Sequence, residues 1–174
     1  MKKGKKSFLV IFILVAVATG LLGFNNIFQP NSSGGNDNGN DSLSKRVPCL
    51  NAALGVTAAY HIHPHLAIKA DGKEIAIPAN IGLSLVGCER VVHTHDVTGE
   101  IHVEPNYYQE FTLGDFFALW GKPFSRGQIL DYAPDLDHEI VMTVDGKPSE
   151  EFENLIFKDK QHIVIEYRKI ENSN

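Results

Sequence analysis

The chain has 174 residues, of which 43% are hydrophobic and 21% are charged. This is the composition of an ordinary folded protein, so it excludes wholesale disorder and leaves room for one domain and little else. Without the four lysines among the first six residues, 12 basic residues stand against 21 acidic ones, a formal net charge of −9. We expect no nucleic-acid partner, because such a body repels phosphate backbones.

Residues 1–24 join the lysine cluster to an apolar run over residues 8–24. The run has 17 residues, which is short for a membrane-spanning helix and slightly long for the core of a signal peptide. The pattern predicts a signal-anchor or a cleaved signal peptide. By the positive-inside rule the lysines stay inside, so the rest of the chain is expected on the extracytoplasmic side. The protein is then a single-pass, membrane-anchored one, or a secreted one if the leader is cleaved.

Residues 25–47 are rich in Asn, Gly and Ser and contain almost nothing to bury, which predicts a disordered linker. The folded domain is expected over residues 48–174. It contains the only two cysteines, Cys49 and Cys88. In an oxidising compartment an even pair of cysteines more often forms a disulfide than two free thiols, so we predict a Cys49–Cys88 bridge.

A metal-ligating role for Cys88 is the alternative. The spacing Cys88-x4-His93 resembles the Cys…His loop of cupredoxins. Those proteins usually add a methionine ligand soon after, whereas the next methionine here is Met142. This difference argues against a blue-copper site.

Apolar and polar side chains alternate over residues 60–69, which predicts a half-buried strand. One face carries Tyr60, Ile62, Pro64, Leu66 and Ile68, and the other carries His61, His63, His65, Ala67 and Lys69. The sequence Asp71-Gly72 predicts a type I′ turn that pairs Ile68 with Ile75 and Leu66 with Ile77. Because Pro64 has no N–H to donate, this end of the strand is expected at an edge or a bulge.

A second hairpin is predicted from residues 91–95 and 100–104 around a turn at residues 96–99. The expected register opposes three pairs on one face, namely His95 with Glu100, His93 with His102 and Val91 with Glu104, while Val92, Ile101 and Val103 face the core. Directly opposed Cβ atoms in such a pair lie about 4.5 to 5.5 Å apart. These side chains can therefore converge on an ion at ligand distances of about 2.0 to 2.2 Å.

Six of the eight histidines fall within 42 residues, in three groups. Their alternating spacing places the side chains of each group on one face of its strand. A lone H-x-H pair is usually polar surface, but three groups of matching parity, one of them beside acidic residues, favour a transition-metal site, with copper(II) or zinc as the ion. The predicted ligands are His61, His63, His65, His93, His95, His102 and Glu100. Asp96 and Glu104 are interpreted as orienting a ligand's free ring nitrogen, or as solvated charges. His138 and His162 are isolated and are interpreted as surface or structural residues.

The segment Thr112-Leu113-Gly114-Asp115 is a variant of the capping box and starts a helix of two to three turns that Gly121 and Pro123 end. Strands are predicted over 139–144, entering an Asp145-Gly146 turn, and over 162–167. The expected fold class is α+β, with a mainly antiparallel sheet of two or three hairpins and one short helix on a face. This order resembles the β-grasp arrangement of ubiquitin-like domains, to which the His-rich hairpin is an addition.

Over roughly residues 60–168, the motifs H-x-H-x-H-L, IPA-x-IG, HTHD, IHVE and FTLG-x-FF-x-x-WG resemble those of a group of exported microbial single-domain proteins. The resemblance implies one exported domain. It implies no particular activity, so the chemistry is inferred from the residues.

Three functions remain open. The first is a binding module that captures or buffers copper(II) or zinc, with the membrane as a second partner through the N-terminal segment; no protein partner is indicated. The second is a metal-dependent enzyme in which three histidines, or histidines and a carboxylate, activate water or oxygen, with Glu100 or Glu104 as general base. The third is a pH-sensitive interaction module. The signatures HEXXH, Ser-His-Asp and the phosphate loop are absent, so binding without catalysis is preferred.

Overall fold

The computed structural model describes residues 38–50, 57–84 and 87–171. The predicted leader 1–24 and residues 25–37 of the predicted linker lie outside this part. Within the described part the elements are α1 (Asn38–Arg46), β1 (His65–Ala70), β2 (Lys73–Ile75), β3 (Val92–His93), β4 (His102–Val103), α2 (Leu113–Trp120), β5 (Phe124–Ser125), β6 (Gln128–Ile129), β7 (His138–Val144), β8 (Lys147–Pro148), a 3₁₀ turn (Phe152–Asn154) and β9 (His162–Lys169). No helix in these ranges is both long enough and apolar enough to cross a bilayer.

A five-stranded sheet in the order β2-β1-β9-β7-β8 forms the centre of an α+β fold that is mostly sheet. Strands β1 and β9 pair in parallel, and the other pairs are antiparallel. The mainly antiparallel character was predicted, but the parallel pair at the centre was not. The alternation of buried side chains in these two strands places Leu66, Ile68, Ile163 and Ile165 in the core.

Both predicted Asp-Gly turns are present and join hairpins. Asp71 and Gly72 have φ angles of 48° and 75°, and Asp145 and Gly146 have φ angles of 50° and 75°. Two successive positive φ angles define the type I′ geometry, whose twist matches that of the flanking strands.

The register of the first hairpin agrees with the prediction at one pair and departs from it at the next. Ile68 pairs with Ile75 as predicted. The predicted pairing of Leu66 with Ile77 does not form, because β2 ends at Ile75; Ile77 is buried outside the ladder. The regular strand also begins only at His65, directly after Pro64, which cannot donate a ladder hydrogen bond.

Helix α2 begins and ends as the sequence predicts. The Thr112 hydroxyl accepts a hydrogen bond from the Asp115 N–H at 3.2 Å, and the Asp115 carboxylate accepts one from the Thr112 N–H at 2.8 Å. Gly121 ends the helix in the left-handed conformation, with φ 69°. The helix buries Leu113, Phe116 and Phe117 in the core.

Helix α1 corrects the predicted boundary of the folded domain. It lies within the stretch 25–47 that the composition predicts to be a linker. Its end is fixed to the domain, since Val47 is fully buried and Arg46 Nη2 lies 2.8 Å from an oxygen of Asp115. Leu43 also packs against the core, so two apolar side chains four residues apart anchor an otherwise polar segment.

The predicted disulfide between Cys49 and Cys88 is present, with their Cα atoms 5.3 Å apart. It ties residues 47–50 to residues 88–91, where the Leu50 N–H donates to the Glu89 carbonyl and the Val91 N–H donates to the Pro48 carbonyl. Because both sulfurs are bonded to each other, Cys88 is not a metal ligand.

Candidate metal centre

The two histidine groups meet because residues 62–66 run antiparallel to residues 99–103. Ile62 and Val103 exchange two backbone hydrogen bonds of 3.1 Å. Farther along, the Ile101 N–H donates to the Pro64 carbonyl at 2.9 Å, and the Leu66 N–H donates to the Gly99 carbonyl at 2.9 Å. This pairing was not predicted, because the pattern of each hairpin specifies only its own two strands. It places His61 and His63 beside His102.

Gly99 makes this approach possible. Its φ of +87° is in the left-handed region, and a Cβ atom there would overlap the Leu66 carbonyl oxygen. Only glycine combines that backbone conformation with such close contact at low cost.

The second hairpin has the predicted register, because β3 and β4 pair Val92 with Val103 and His93 with His102. The ladder is shorter than predicted. The Glu104 N–H still donates to the Val91 carbonyl at 2.9 Å. The predicted pair of Glu100 with His95 does not form, because the backbone of Glu100 pairs with that of His65. Val92, Ile101 and Val103 are fully buried, as expected for the core face.

Thr94 fixes the two histidines that flank it. It is fully buried, its hydroxyl donates to the Pro78 carbonyl at 3.0 Å, and it accepts from the Ile81 N–H at 3.1 Å. With Thr94 held in this way, the side chains of His93 and His95 converge, and their Nε2 atoms lie 3.1 Å apart.

Five imidazoles form one group, which we call the imidazole cluster: His61, His63, His93, His95 and His102. His102 lies at its centre, with Nδ1 3.2 Å from His61 Nε2 and ring centroids 4.7 Å from His63 and 4.6 Å from His95. Two sets of three, His61 with His63 and His102, and His93 with His95 and His102, have ligand atoms within 4.8 Å of one another. Two nitrogens bound at tetrahedral angles to one ion at about 2.0 to 2.1 Å lie roughly 3.3 Å apart, so these sets can each surround an ion.

Two carboxylates reach the imidazole cluster. Glu104 Oε1 lies 3.5 Å from His93 Nε2, while its Oε2 lies 3.5 Å from His61 Nε2. Glu89 Oε1 lies 3.3 Å from His93 Nε2. Glu104 was predicted to orient a ligand or to be a solvated charge, and its carboxylate also forms, with Glu89 and His93, a set whose ligand atoms lie within 4.8 Å of one another. Glu89 was missed; the only signal for it is its place directly after Cys88, which the disulfide holds beside the site.

Glu100 and Asp96 have other contacts than the sequence predicts. Glu100 Oε1 lies 3.4 Å from His102 Nε2, and the side chain is 51% exposed, outside the sets that can surround an ion. Asp96 accepts hydrogen bonds from the Thr98 N–H at 2.9 Å and the Thr98 hydroxyl at 2.5 Å. These bonds lower the pKa of Asp96 and show that it shapes the turn.

His65 lies apart from the imidazole cluster, because the parallel pairing of β1 with β9 sets it opposite His162. Their ring centroids are 5.2 Å apart. His162, interpreted from the sequence as isolated, therefore has an imidazole neighbour. Both rings line a cleft of about 350 Å³ together with His63, Glu100 and Lys160.

The protonation state of His93 is fixed by its surroundings. The side chain is 0% exposed, and its Nδ1–H donates to the Arg90 carbonyl at 2.8 Å, which leaves the lone pair on Nε2. Burial lowers the pKa of His93. Burial and the neighbouring rings of His93 and His95 lower the pKa of His102. Both imidazoles are therefore neutral at neutral pH, the form that binds a metal.

Comparisons of the chain with protein-family models, curated proteins and solved structures find no match. The function is therefore inferred from the arrangement of side chains.

Proposed function

We propose that this protein binds a transition metal, copper(II) or zinc, through the imidazole cluster, and holds it at the outer face of a membrane. The observation that carries the proposal is the environment of His93 Nε2. This buried lone pair is surrounded at 3.1 to 3.5 Å by His95 Nε2 and by oxygens of Glu89 and Glu104.

His95 Nε2 can donate a hydrogen bond to the lone pair of His93 Nε2 in one tautomer, whereas the oxygens of Glu89 and Glu104 can only repel that lone pair unless a proton or a metal ion lies between them. A proton on His93 Nε2 would supply the charge, but burial disfavours the imidazolium form. A metal ion bound by His93, Glu89 and Glu104, whose ligand atoms lie within 4.8 Å of one another, would offset the charge of both carboxylates. The imidazole cluster is therefore better suited to a metal ion than to a proton.

The donor set supports copper(II) or zinc among the transition metals, because imidazole and carboxylate ligands suit both. Among the described residues, both cysteines are bonded to each other and Met142 is buried in the core, so these residues offer no free thiol and no exposed thioether. A dedicated copper(I) carrier would need such sulfur ligands.

The location is inferred from the leader 1–24 and is supported by the disulfide. Disulfides persist in oxidising compartments, which lie outside the cytoplasm in most organisms. We infer from these two features that the metal is bound on the extracytoplasmic side.

We also propose that the central sheet is a variant of the β-grasp arrangement. Hairpin β1–β2, helix α2, hairpin β7–β8 and strand β9, which lies between the two hairpins in the sheet, occur in this order along the chain, and the short pair β5–β6 is an addition after α2. Hairpin β3–β4 is an insertion between the first hairpin and α2, and it carries three of the five rings.

A second candidate is the metal-dependent enzyme, which the cleft beside the imidazole cluster favours. His63 belongs to the imidazole cluster and also lines this cleft of about 350 Å³. A substrate in the cleft would contact an ion held by His63. Azide added to the copper-loaded protein should give a charge-transfer absorption band if a coordination position is open to the cleft. No band would mean a closed shell and would exclude this candidate.

Metal content tests the proposal directly. We compare the wild-type full chain with two triple variants after incubation with copper(II) or zinc and extensive dialysis. The first variant, His61→Ala/His93→Ala/His102→Ala, should lose the metal. The control, His65→Ala/His138→Ala/His162→Ala, removes the same number of histidines outside the imidazole cluster and should retain it.

Circular dichroism monitors folding in both variants, because His93 is buried. If the first variant does not fold, His61→Ala/His102→Ala replaces it, since these two rings are partly exposed. Metal content equal to that of wild type in a folded variant would show that the proposed ligands are wrong.

A further inference from the structure

We propose that the imidazole cluster holds two metal ions, bridged by the carboxylate of Glu104. This inference rests on the proposed function and assigns the number of ions and the ligands of each. It starts from the orientation of Glu104, whose two oxygens face different histidines. Oε2 faces His61 Nε2 and Oε1 faces His93 Nε2, each at 3.5 Å.

The first ion is bound by His61, His63, His102 and Glu104. His61 Nε2 and His102 Nδ1 are 3.2 Å apart, and the ring centroids of His61 and His63 are 4.4 Å apart. With Oε2 of Glu104, three imidazoles and one oxygen make a four-coordinate shell.

The second ion is bound by His93, His95, Glu89 and Glu104. The Nε2 atoms of His93 and His95 are 3.1 Å apart, Glu89 Oε1 lies 3.3 Å from His93 Nε2, and Glu104 Oε1 completes the set. Two imidazoles and two carboxylate oxygens form this shell.

A single ion does not account for this arrangement. Five imidazoles and two carboxylates offer more donors than a four-coordinate zinc or a tetragonal copper(II) ion uses. Among the described residues, three sets have ligand atoms within 4.8 Å of one another: His61 with His63 and His102, His93 with His95 and His102, and Glu89 with His93 and Glu104. No set joins His61 or His63 to His93 or His95. Two ions use every donor, and bridged ions in two-metal sites lie about 3.5 to 4 Å apart.

His102 belongs to both sets of three imidazoles. The contact of His102 with Glu100 determines which of the two ions it binds. Glu100 Oε1 lies 3.4 Å from His102 Nε2, on the side of the ring away from His61. A proton on Nε2 directed at this carboxylate leaves the lone pair on Nδ1, which faces His61. Glu100 is therefore a positioning residue for the first ion.

The experiment counts ions in the full chain, which is stripped with a chelator and titrated with copper(II). We expect two equivalents per chain. The first gives an ordinary electron paramagnetic resonance signal, and the second reduces the signal per copper because the bridge couples the two spins. The paired variants His61→Ala/His63→Ala and His93→Ala/His95→Ala should each bind one equivalent. His65→Ala/His162→Ala is the matched control and should bind two.

Glu104→Gln tests the bridge. It keeps the shape of the side chain but has one amide oxygen in place of two carboxylate oxygens. We expect the second equivalent to bind about 10- to 100-fold more weakly, with loss of the spin coupling. Glu74→Gln, at an exposed glutamate of β2 outside the imidazole cluster, is the control and should preserve two coupled ions.

Two results would overturn the inference. Saturation of wild type at one equivalent, with a signal that accounts for all the copper, would mean a single-ion site and would leave the proposed function standing. Two equivalents with uncoupled signals, unchanged by Glu104→Gln, would mean two separate sites. Absence of tight copper or zinc binding would instead refute the proposed function itself.

Discussion

Removal of the disulfide should destabilise the domain and weaken the metal centre together. The bridge joins residues 39 apart in sequence. In the chain-entropy model, closing a loop of this length lowers the entropy of the unfolded chain enough to stabilise the fold by about 4 kcal/mol. For a domain of this size that loss corresponds to a decrease in Tm on the order of 10 to 15 °C.

The same bridge holds Glu89 beside His93, since Glu89 directly follows Cys88 and its carbonyl accepts from the Leu50 N–H. Cys49→Ser/Cys88→Ser should therefore also lower the affinity for the metal ion that we propose His93 binds. Urea denaturation of the metal-free variant measures the first effect, and metal titration measures the second. A loss of less than about 1 kcal/mol would show that the loop entropy does not govern the stability of this region.

Two further predictions concern the approach of the histidine segments and the pH dependence of the fold. Gly99→Ala should destabilise the domain by more than about 1 kcal/mol, because the residue has a positive φ and its Cβ would overlap the Leu66 carbonyl. Gly72→Ala, which has a positive φ of 75° but no atom within 4 Å of the added Cβ, should cost less in the same denaturation assay, and equal costs would contradict this interpretation. The metal-free domain should lose stability as the pH falls below about 6.5, because the pKa values of His93 and His102 are lowered in the folded state and the unfolded chain then binds more protons. Urea midpoints that stay constant or rise between pH 7 and 5 would contradict it.

The elements that the sequence predicts well are those that depend on neighbouring residues. Both type I′ turns require only an Asp-Gly pair between apolar strands, and the capping box of α2 requires only Thr112 and Asp115. The pairing of His93 with His102 follows from one short turn. Each of these elements is determined by residues that are close together in the sequence, so it can be predicted without knowledge of the fold.

The arrangement of the candidate metal centre depends on distant contacts, which the sequence pattern does not reveal. The parallel pairing of β1 with β9 takes His65 away from the imidazole cluster and sets it beside His162. The pairing of residues 62–66 with residues 99–103 brings His61 and His63 into the imidazole cluster, beside His102. Glu89 enters the site only through the disulfide. The histidines were thus predicted as ligands from their residue type, while the fold determines which of them meet.

The most direct test of a shared imidazole site is X-ray absorption spectroscopy of the copper- or zinc-loaded protein. The assignment predicts two to three imidazole rings for each ion, with nitrogen or oxygen neighbours at about 2.0 to 2.1 Å and no sulfur. Spectra without imidazole scattering, or with sulfur in the shell, would contradict the account.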